Sequence, residues 1–127
     1  MDIQENKVWD YLNPWGTYKK TLNLLEEYNK ADTVNMTEPE MNRFRHIAGP
    51  AYLTSRYFSP EVTKAFGWAK EAKDLVQGRG LADTQNDLTN NIKGINIGLG
   101  DRNVKGNANT LFDYIFKTEI EPLRGQQ

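Results

Sequence analysis

The chain contains no cysteine. This absence excludes disulfides, cysteine-ligated zinc, a thiol nucleophile and a bacterial lipobox, and it fits a reducing compartment. The N-terminal stretch MDIQENK is polar, so we expect no signal peptide. No uncharged apolar run approaches the roughly 20 residues of a transmembrane helix, so we expect no membrane span. These absences together predict a protein of the cytoplasm or of a virion.

An excess of charge of either sign is also missing. The 16 basic and 17 acidic residues give a net charge of −1, which offers no electrostatic attraction to nucleic acid or to an anionic membrane. Hydrophobic residues make up 38% of the chain and mean hydropathy is −0.74, as in a soluble protein with a polar surface. A length of 127 residues predicts a single domain spanning 1–127.

The chain lacks any useful run with the alternating pattern of a β-strand, and its apolar residues recur at helical spacing. Capping residues, several of them followed by proline, mark the helix starts. The predicted caps are Asn13, Thr37, Ser59, Asp83 and Asn109. We therefore predict an all-α fold, a compact bundle of about five helices, with a loop over 100–108.

Two of the predicted helices carry specific expectations. The apolar pattern of the second helix continues across Gly49-Pro50, which predicts one helix kinked at that point because Pro50 cannot donate to the carbonyl of His46. The third helix is expected to bury one apolar stripe. That stripe consists of Val62, Ala65, Phe66, Ala69, Ala72 and Val76.

Residues 1–12 form a short mixed segment ahead of the first predicted helix. It is rich in large apolar side chains near its end, and such side chains commonly anchor protein interfaces. We predict that 1–12 is a docking segment, with Trp9, Tyr11 and Trp15 as interface anchors.

The stretch DLTNNIKGINIG, from Asp87 to Gly98, sets polar and small residues on one helical stripe. Asp87, Asn91, Gly94 and Gly98 are spaced by four, three and four residues. An apolar stripe lies beside them on the same helix. This pattern is typical either of a chemical site or of a close helix contact.

Eight polar residues, two of them on that stripe, are expected to face inward. They are His46, Arg56, Glu71, Asp74, Asp83, Asp87, Asn90 and Asn91. One interpretation is catalytic, with Glu71 or Asp87 as a general base paired with His46, the only histidine. A variant adds a divalent metal (Zn, Mn, Fe or Mg) held by His46, Glu71 and Asp74, which would activate water.

The other interpretation is structural. Buried polar groups must be paired, and such networks often fix a unique packing. His46, Arg56 and the acids would then form a hydrogen-bonded network with Asn91. Gly94 and Gly98 would let a partner helix approach closely, as small residues at this spacing do.

The middle of the chain resembles the VanZ-like and YfiM-like bacterial families. The likeness runs from His46 to Gly98 and rests on an ordered set of residues. These are His46, Gly67, Glu71, Asp74, Asp83 and the pattern D-L-x-x-N-x-x-G-x-x-x-G over Asp87–Gly98. The resemblance implies a polar helix site at His46, Glu71, Asp74, Asp87 and Asn91. The membrane location of the first family and the lipid anchor of the second do not carry over, because the chain has neither a spanning segment nor a cysteine.

Compact size, absent cysteine and aromatic-rich ends also resemble small bacteriophage proteins. Our first hypothesis is a non-enzymatic helical protein that binds protein partners, as a component of a phage particle or of a small bacterial assembly. Its contacts would come from the N-terminal segment and the last helix. The second is a hydrolase, metal-dependent or metal-free, acting on cell-envelope material through His46, Glu71 and Asp87. The third is an inhibitor or regulator of a host protein.

Overall fold

The computed structural model describes residues 13–31, 34–76, 78, 81–102 and 107–126, and within these ranges it describes the backbone alone at 31, 71–76, 81–84 and 125–126. Five α-helices and no strand occur in these ranges, which confirms the predicted all-α fold. The helices are α1 (Pro14–Ala31), α2 (Glu38–Arg56), α3 (Pro60–Val76), α4 (Leu81–Asp101) and α5 (Ala108–Ile115). The chain continues from α5 into a π-helical turn, Phe116–Ile120, and a 3₁₀ turn, Glu121–Gln126.

Helix α2 lies at the centre of the bundle and packs against each of the other four helices. Its apolar residues recur at helical spacing on one broad face, which is the pattern of a helix that packs against a core. Phe44, Ile47, Ala48 and Ala51 are fully buried. The predicted single helix through Gly49-Pro50 is present, while the bend at that point stays a prediction.

Three predicted caps are confirmed. The Asn13 carboxamide oxygen accepts a hydrogen bond from the Gly16 amide, and the Ser59 hydroxyl accepts one from the Val62 amide. Thr37 and Glu40 form a complete capping box at the start of α2. Each cap satisfies amide groups that the first helical turn leaves without an intrahelical acceptor.

The other two predicted caps are wrong. Helix α4 begins at Leu81, so Asp83 lies inside the helix; leucine and alanine at 81–82 are strong helix formers. Helix α5 is capped by Asn107, whose side-chain oxygen accepts from the Thr110 amide at 2.9 Å, and Asn109 lies within the helix. Asparagine at 107 puts its side chain at the position from which it reaches the third helical amide.

The predicted buried stripe of α3 is also wrong in part. Val62, Ala65 and Ala69 are exposed, whereas Thr63 is fully buried and Phe66 is half-buried. Thr63 faces inward because its hydroxyl accepts a hydrogen bond from the Thr54 hydroxyl of α2 at 3.0 Å. The side chains of Ala72 and Val76 lie outside the described residues.

Aromatic side chains form the centre of the core between α1, α2 and α5. Tyr28 stacks on Phe44 with ring centroids 5.5 Å apart, and Phe112 meets both rings edge-on. The Tyr28 hydroxyl donates to Asp113 Oδ1 at 2.6 Å, so the one polar atom of this ring is satisfied. Leu111, Phe112, Ile115 and Phe116 are all buried.

Helices α2 and α4 run side by side in the same direction, and α3, which connects them along the chain, packs against both. Gly94 lies against Ile47, and one turn further Gly98 lies against Ala51. At the end of the pair the Ser55 hydroxyl donates to Asp101 Oδ2 at 2.6 Å. This alignment brings the polar part of α4 next to His46.

Candidate functional site

His46 and Asp87 form the centre of the candidate site. His46 Nε2 lies 3.5 Å from Asp87 Oδ1, and the two side chains are 12% and 4% exposed. His46 lies at the edge of the buried face of α2, next to buried Ile47. Asp87 lies on the inward stripe of α4. The geometry suits a carboxylate that orients an imidazole, or an ion pair when the imidazole is protonated.

A small cavity of about 40 Å³ adjoins this pair. Its wall is mostly apolar and comes from four helices, with Trp15 of α1, Leu53 of α2 and Phe66 of α3 among the lining residues. A cavity of this size holds a few water molecules but not a ligand of metabolite size, which needs several hundred cubic ångströms. Among the described residues, the space beside the pair is therefore too small for such a ligand.

Asn91 lies one turn beyond Asp87 and lines the same cavity. Its carboxamide covers Gly67 of α3 so closely that a Cβ at Gly67 would lie 2.5 Å from Asn91 Nδ2. A side chain larger than hydrogen at 67 would displace the amide. Gly67 therefore holds α3 and α4 close together at this level.

Gly94 and Gly98 occupy the same inward stripe as Asp87 and Asn91, and all four residues are buried. A Cβ at Gly94 or Gly98 would collide with a backbone carbonyl oxygen of α2. The apolar stripe beside them is less buried, because Ile92 and Leu99 are both exposed. Contact with α2 thus uses the polar and small residues of α4 more than its large apolar ones.

Two other residues predicted for the site, Arg56 and Asn90, do not line the cavity beside His46. The Arg56 guanidinium lies 5.9 Å from the Tyr52 ring centroid, ten residues along α2 from His46 and thus about 15 Å away along the helix axis. Asn90 accepts a hydrogen bond from Arg43 at 3.4 Å and does not line the His46 cavity.

The remaining members of the predicted sets cannot be placed. The side chains of Glu71, Asp74 and Asp83 and the whole of Trp9 and Tyr11 lie outside the described residues. Trp15 is described and is 55% exposed.

The metal hypothesis needs three or more ligating side chains in one place. No such group of histidine and carboxylate residues occurs among the described side chains. Two of the three predicted ligands, Glu71 and Asp74, belong to the part that is not described, so the metal site stays a prediction.

Arg43 of α2 belongs to a polar cluster that joins three elements. Its guanidinium donates to the carbonyl and the carboxylate of Glu119 in the π-helical turn, at 3.0 and 3.2 Å. Lys93 of α4 donates to the same carboxylate oxygen at 3.0 Å. No pattern in the sequence predicts this cluster, because Lys93 and Arg43 lie 26 and 76 residues from Glu119 along the chain. The π-helical turn sets Glu119 towards α2 and α4.

A second polar contact joins the start of α2 to the C-terminal 3₁₀ turn. Arg124 Nε donates to Glu40 Oε2 at 2.7 Å, and another Arg124 nitrogen donates to the Val34 carbonyl at 2.8 Å. Hydrogen bonding from Arg124, followed by the capping contact with Thr37, outweighs burial and lowers the pKa of the Glu40 carboxyl below 4.5. The carboxylate form is therefore stabilised by folding.

An open groove runs between α4 and α5 on the side of α4 away from the His46 pair. Its lining is mainly apolar. Ile92 and Ile97 line it from α4, and Leu111 and Tyr114 line it from α5. Ile92 is 47% exposed and Tyr114 is 55% exposed, which are large fractions for apolar side chains that line one groove.

Comparison of the chain with protein-family models, with curated proteins and with solved structures found no match. The resemblance to the VanZ-like and YfiM-like families therefore stays a prediction. None of the helices in the described ranges combines the length and the hydropathy needed to cross a bilayer.

Proposed function

We propose that this protein is a non-enzymatic helical module that binds an amphipathic helix of a protein partner in the groove between α4 and α5. The observation that carries the proposal is the pair of exposed side chains, Ile92 and Tyr114, on opposite walls of that groove. Exposed apolar surface that is concave and continuous is characteristic of binding sites.

The dimensions of the groove favour a helix as occupant. Its α4 wall extends from Thr89 to Asp101, which is 13 residues or about 18 Å of helix axis. Three turns of an amphipathic helix match that length and would present residues at i, i+3, i+4 and i+7 to the apolar floor. Lys93 and Glu119 line the same groove and already pair with each other, so the rim offers polar contacts without a bare charge.

The small cavity beside the His46–Asp87 pair supports the non-enzymatic part of the proposal. A cavity of about 40 Å³ with a mostly apolar wall is too small to hold a substrate of metabolite size beside the imidazole. In this proposal the pair, Asn91 and the glycines hold α2, α3 and α4 in place, while binding occurs on the outer side of α4. The predicted setting is a phage particle or a small bacterial assembly.

The test selects helical peptides from a displayed library against the purified protein and measures their dissociation constants by titration. A protein with Ile92→Asp and Tyr114→Asp should bind the selected peptides at least about tenfold more weakly, since charges would be buried in an apolar contact. Trp68→Asp is the matched control, because Trp68 is an equally exposed aromatic residue on α3. Failure to select peptides, or equal binding to the groove variant, would overturn the proposal.

A hydrolase at His46 and Asp87 is the second candidate, favoured by the 3.5 Å approach of the imidazole to the carboxylate. It would act on cell-envelope material with Glu71 as a further acid. Release of soluble fragments from isolated cell-wall material by the wild type, and no release by a folded His46→Ala variant, would support it. Equal release by both proteins would exclude it.

A further inference from the structure

One flank of α3 carries an apolar stripe that the described part of the chain leaves partly uncovered. Val62, Phe66 and Ala69 are spaced by four and three residues, so they share this flank. Phe66 is half-buried, while Val62 is 42% exposed and Ala69 is exposed. The two exposed residues of the stripe, Val62 and Ala69, therefore lie on either side of Phe66, which is partly covered.

Trp15 covers Phe66. Its ring meets the Phe66 ring edge-on with centroids 4.7 Å apart, although Trp15 itself is 55% exposed. Only Asn13 and Pro14 separate Trp15 from residues 1–12. The chain therefore enters α1 directly beside the stripe of α3.

Residues 1–12 match the stripe in length and in chemistry. Twelve residues extend up to about 40 Å, and the stripe from Val62 to Ala69 needs only about 10 Å. The segment contains six large apolar residues, and four of them, Val8, Trp9, Tyr11 and Leu12, fall in its last five positions in the sequence. It also carries three acidic side chains and one basic one.

Two lysines flank the contact between Trp15 and Phe66. Lys19 lies one turn after Trp15 on α1 and is exposed, and Lys70 of α3 lines the cavity with Trp15.

We propose that residues 1–12 fold back onto this flank of α3 and cover Val62 and Ala69, with the acidic side chains near Lys19 and Lys70. The occupant is thus a segment of the same chain. This inference is independent of the groove between α4 and α5, and it assigns Trp9 an intramolecular contact in place of a partner contact.

The absence of cysteine allows a direct test, because a single introduced thiol is the only site for a maleimide. The rate of modification is measured for the full-length Ala69→Cys variant, with and without Trp9→Asp and Leu12→Asp in the segment. Lys64→Cys, exposed on the opposite flank of α3, is the matched control. We expect the two segment substitutions to speed modification at 69 by about tenfold or more and to leave the rate at 64 unchanged.

Equal rates at 69 with and without the segment substitutions would overturn the proposal. Protection at 69 that increases with protein concentration would also overturn it, since a second copy would then be the occupant. If the double substitution removes the helical circular dichroism, Trp9→Asp alone replaces it, and the same two comparisons decide.

Discussion

Gly94 of α4 lies directly against the backbone carbonyl oxygen of Ile47 in α2. A hydrogen atom is the only side chain that this distance admits, so the two helices approach more closely than helices with larger side chains at the contact. Asp87 and Asn91 lie on the same stripe as Gly94, and their approach to α2 and α3 depends on it. The close packing of α2 with α4 therefore determines the geometry around His46.

Gly94→Ala should destabilise the fold because its Cβ would collide with the carbonyl of Ile47, and neither backbone moves cheaply. We expect a loss of about 1–3 kcal/mol in the free energy of unfolding, measured by denaturant titration. Gly100→Ala on the same helix is the control. Nothing lies within 4 Å of a Cβ at Gly100, so alanine there should be neutral or mildly stabilising. Equal effects at the two positions would contradict the close contact.

The contact between His46 and Asp87 predicts energetic coupling. His46→Ala, Asp87→Ala and the double variant form a thermodynamic cycle. Each single substitution leaves a buried polar group with one partner fewer, so the double variant should lose less stability than the sum of the two. We expect a coupling of about 0.5–3 kcal/mol from denaturant titrations. Additive losses would show that the two side chains do not depend on each other.

Tyr28→Phe removes the hydroxyl that α1 uses to bind Asp113 of α5 at 2.6 Å. The ring contacts with Phe44 and Phe112 remain, so the variant isolates the hydrogen bond. We expect a loss of about 1–3 kcal/mol in unfolding free energy because the acceptor is a carboxylate. Tyr114→Phe, at an exposed position of α5, should change stability by less than about 0.5 kcal/mol. A similar loss in both variants would mean that the Asp113 contact contributes nothing specific.

The lowered pKa of Glu40 predicts a stability that depends on pH. Folding favours the Glu40 carboxylate, so its contribution is present above pH 4.5 and is lost as pH falls through the lower pKa of the folded state. Glu40→Gln keeps the shape of the cap but removes the charge that Arg124 binds. The stability difference between the wild type and this variant should therefore shrink on acidification below pH 4.5, measured by thermal unfolding. Glu27→Gln, at an exposed position, is the control. A difference independent of pH would contradict the assigned pKa direction.

Local features of the sequence predicted the helices well. Asn13, Thr37 and Ser59 act within three residues of themselves, so their capping could be inferred without knowing the fold. The spacing of Asp87 to Gly98 likewise placed four residues on one stripe, because helical periodicity is a local property. Which residues of the other helices contact that stripe depends on the tertiary fold, so the local pattern does not predict them.

The inward side of α3 shows where sequence patterns fail. Alanine is apolar but small, so exposing Ala65 costs little, and an apolar pattern built partly from alanines specifies a face weakly. Thr63 and Gly67 face inward because of partners on other helices, the Thr54 hydroxyl and the Asn91 carboxamide. Those partners are found only once α2, α3 and α4 are assembled. The Glu119 contacts with Arg43 and Lys93 could not be predicted for the same reason.

The contact between Arg124 and Glu40 has a consequence for biosynthesis. A ribosome makes the start of α2 more than 80 residues before it makes Arg124. Helix α2 therefore emerges from the ribosomal exit tunnel before the ribosome has synthesised Phe112 and Arg124, which help to enclose it. A nascent chain stalled before residue 107 should therefore remain sensitive to protease within α2, and release of the last segment should bring protection of the whole bundle.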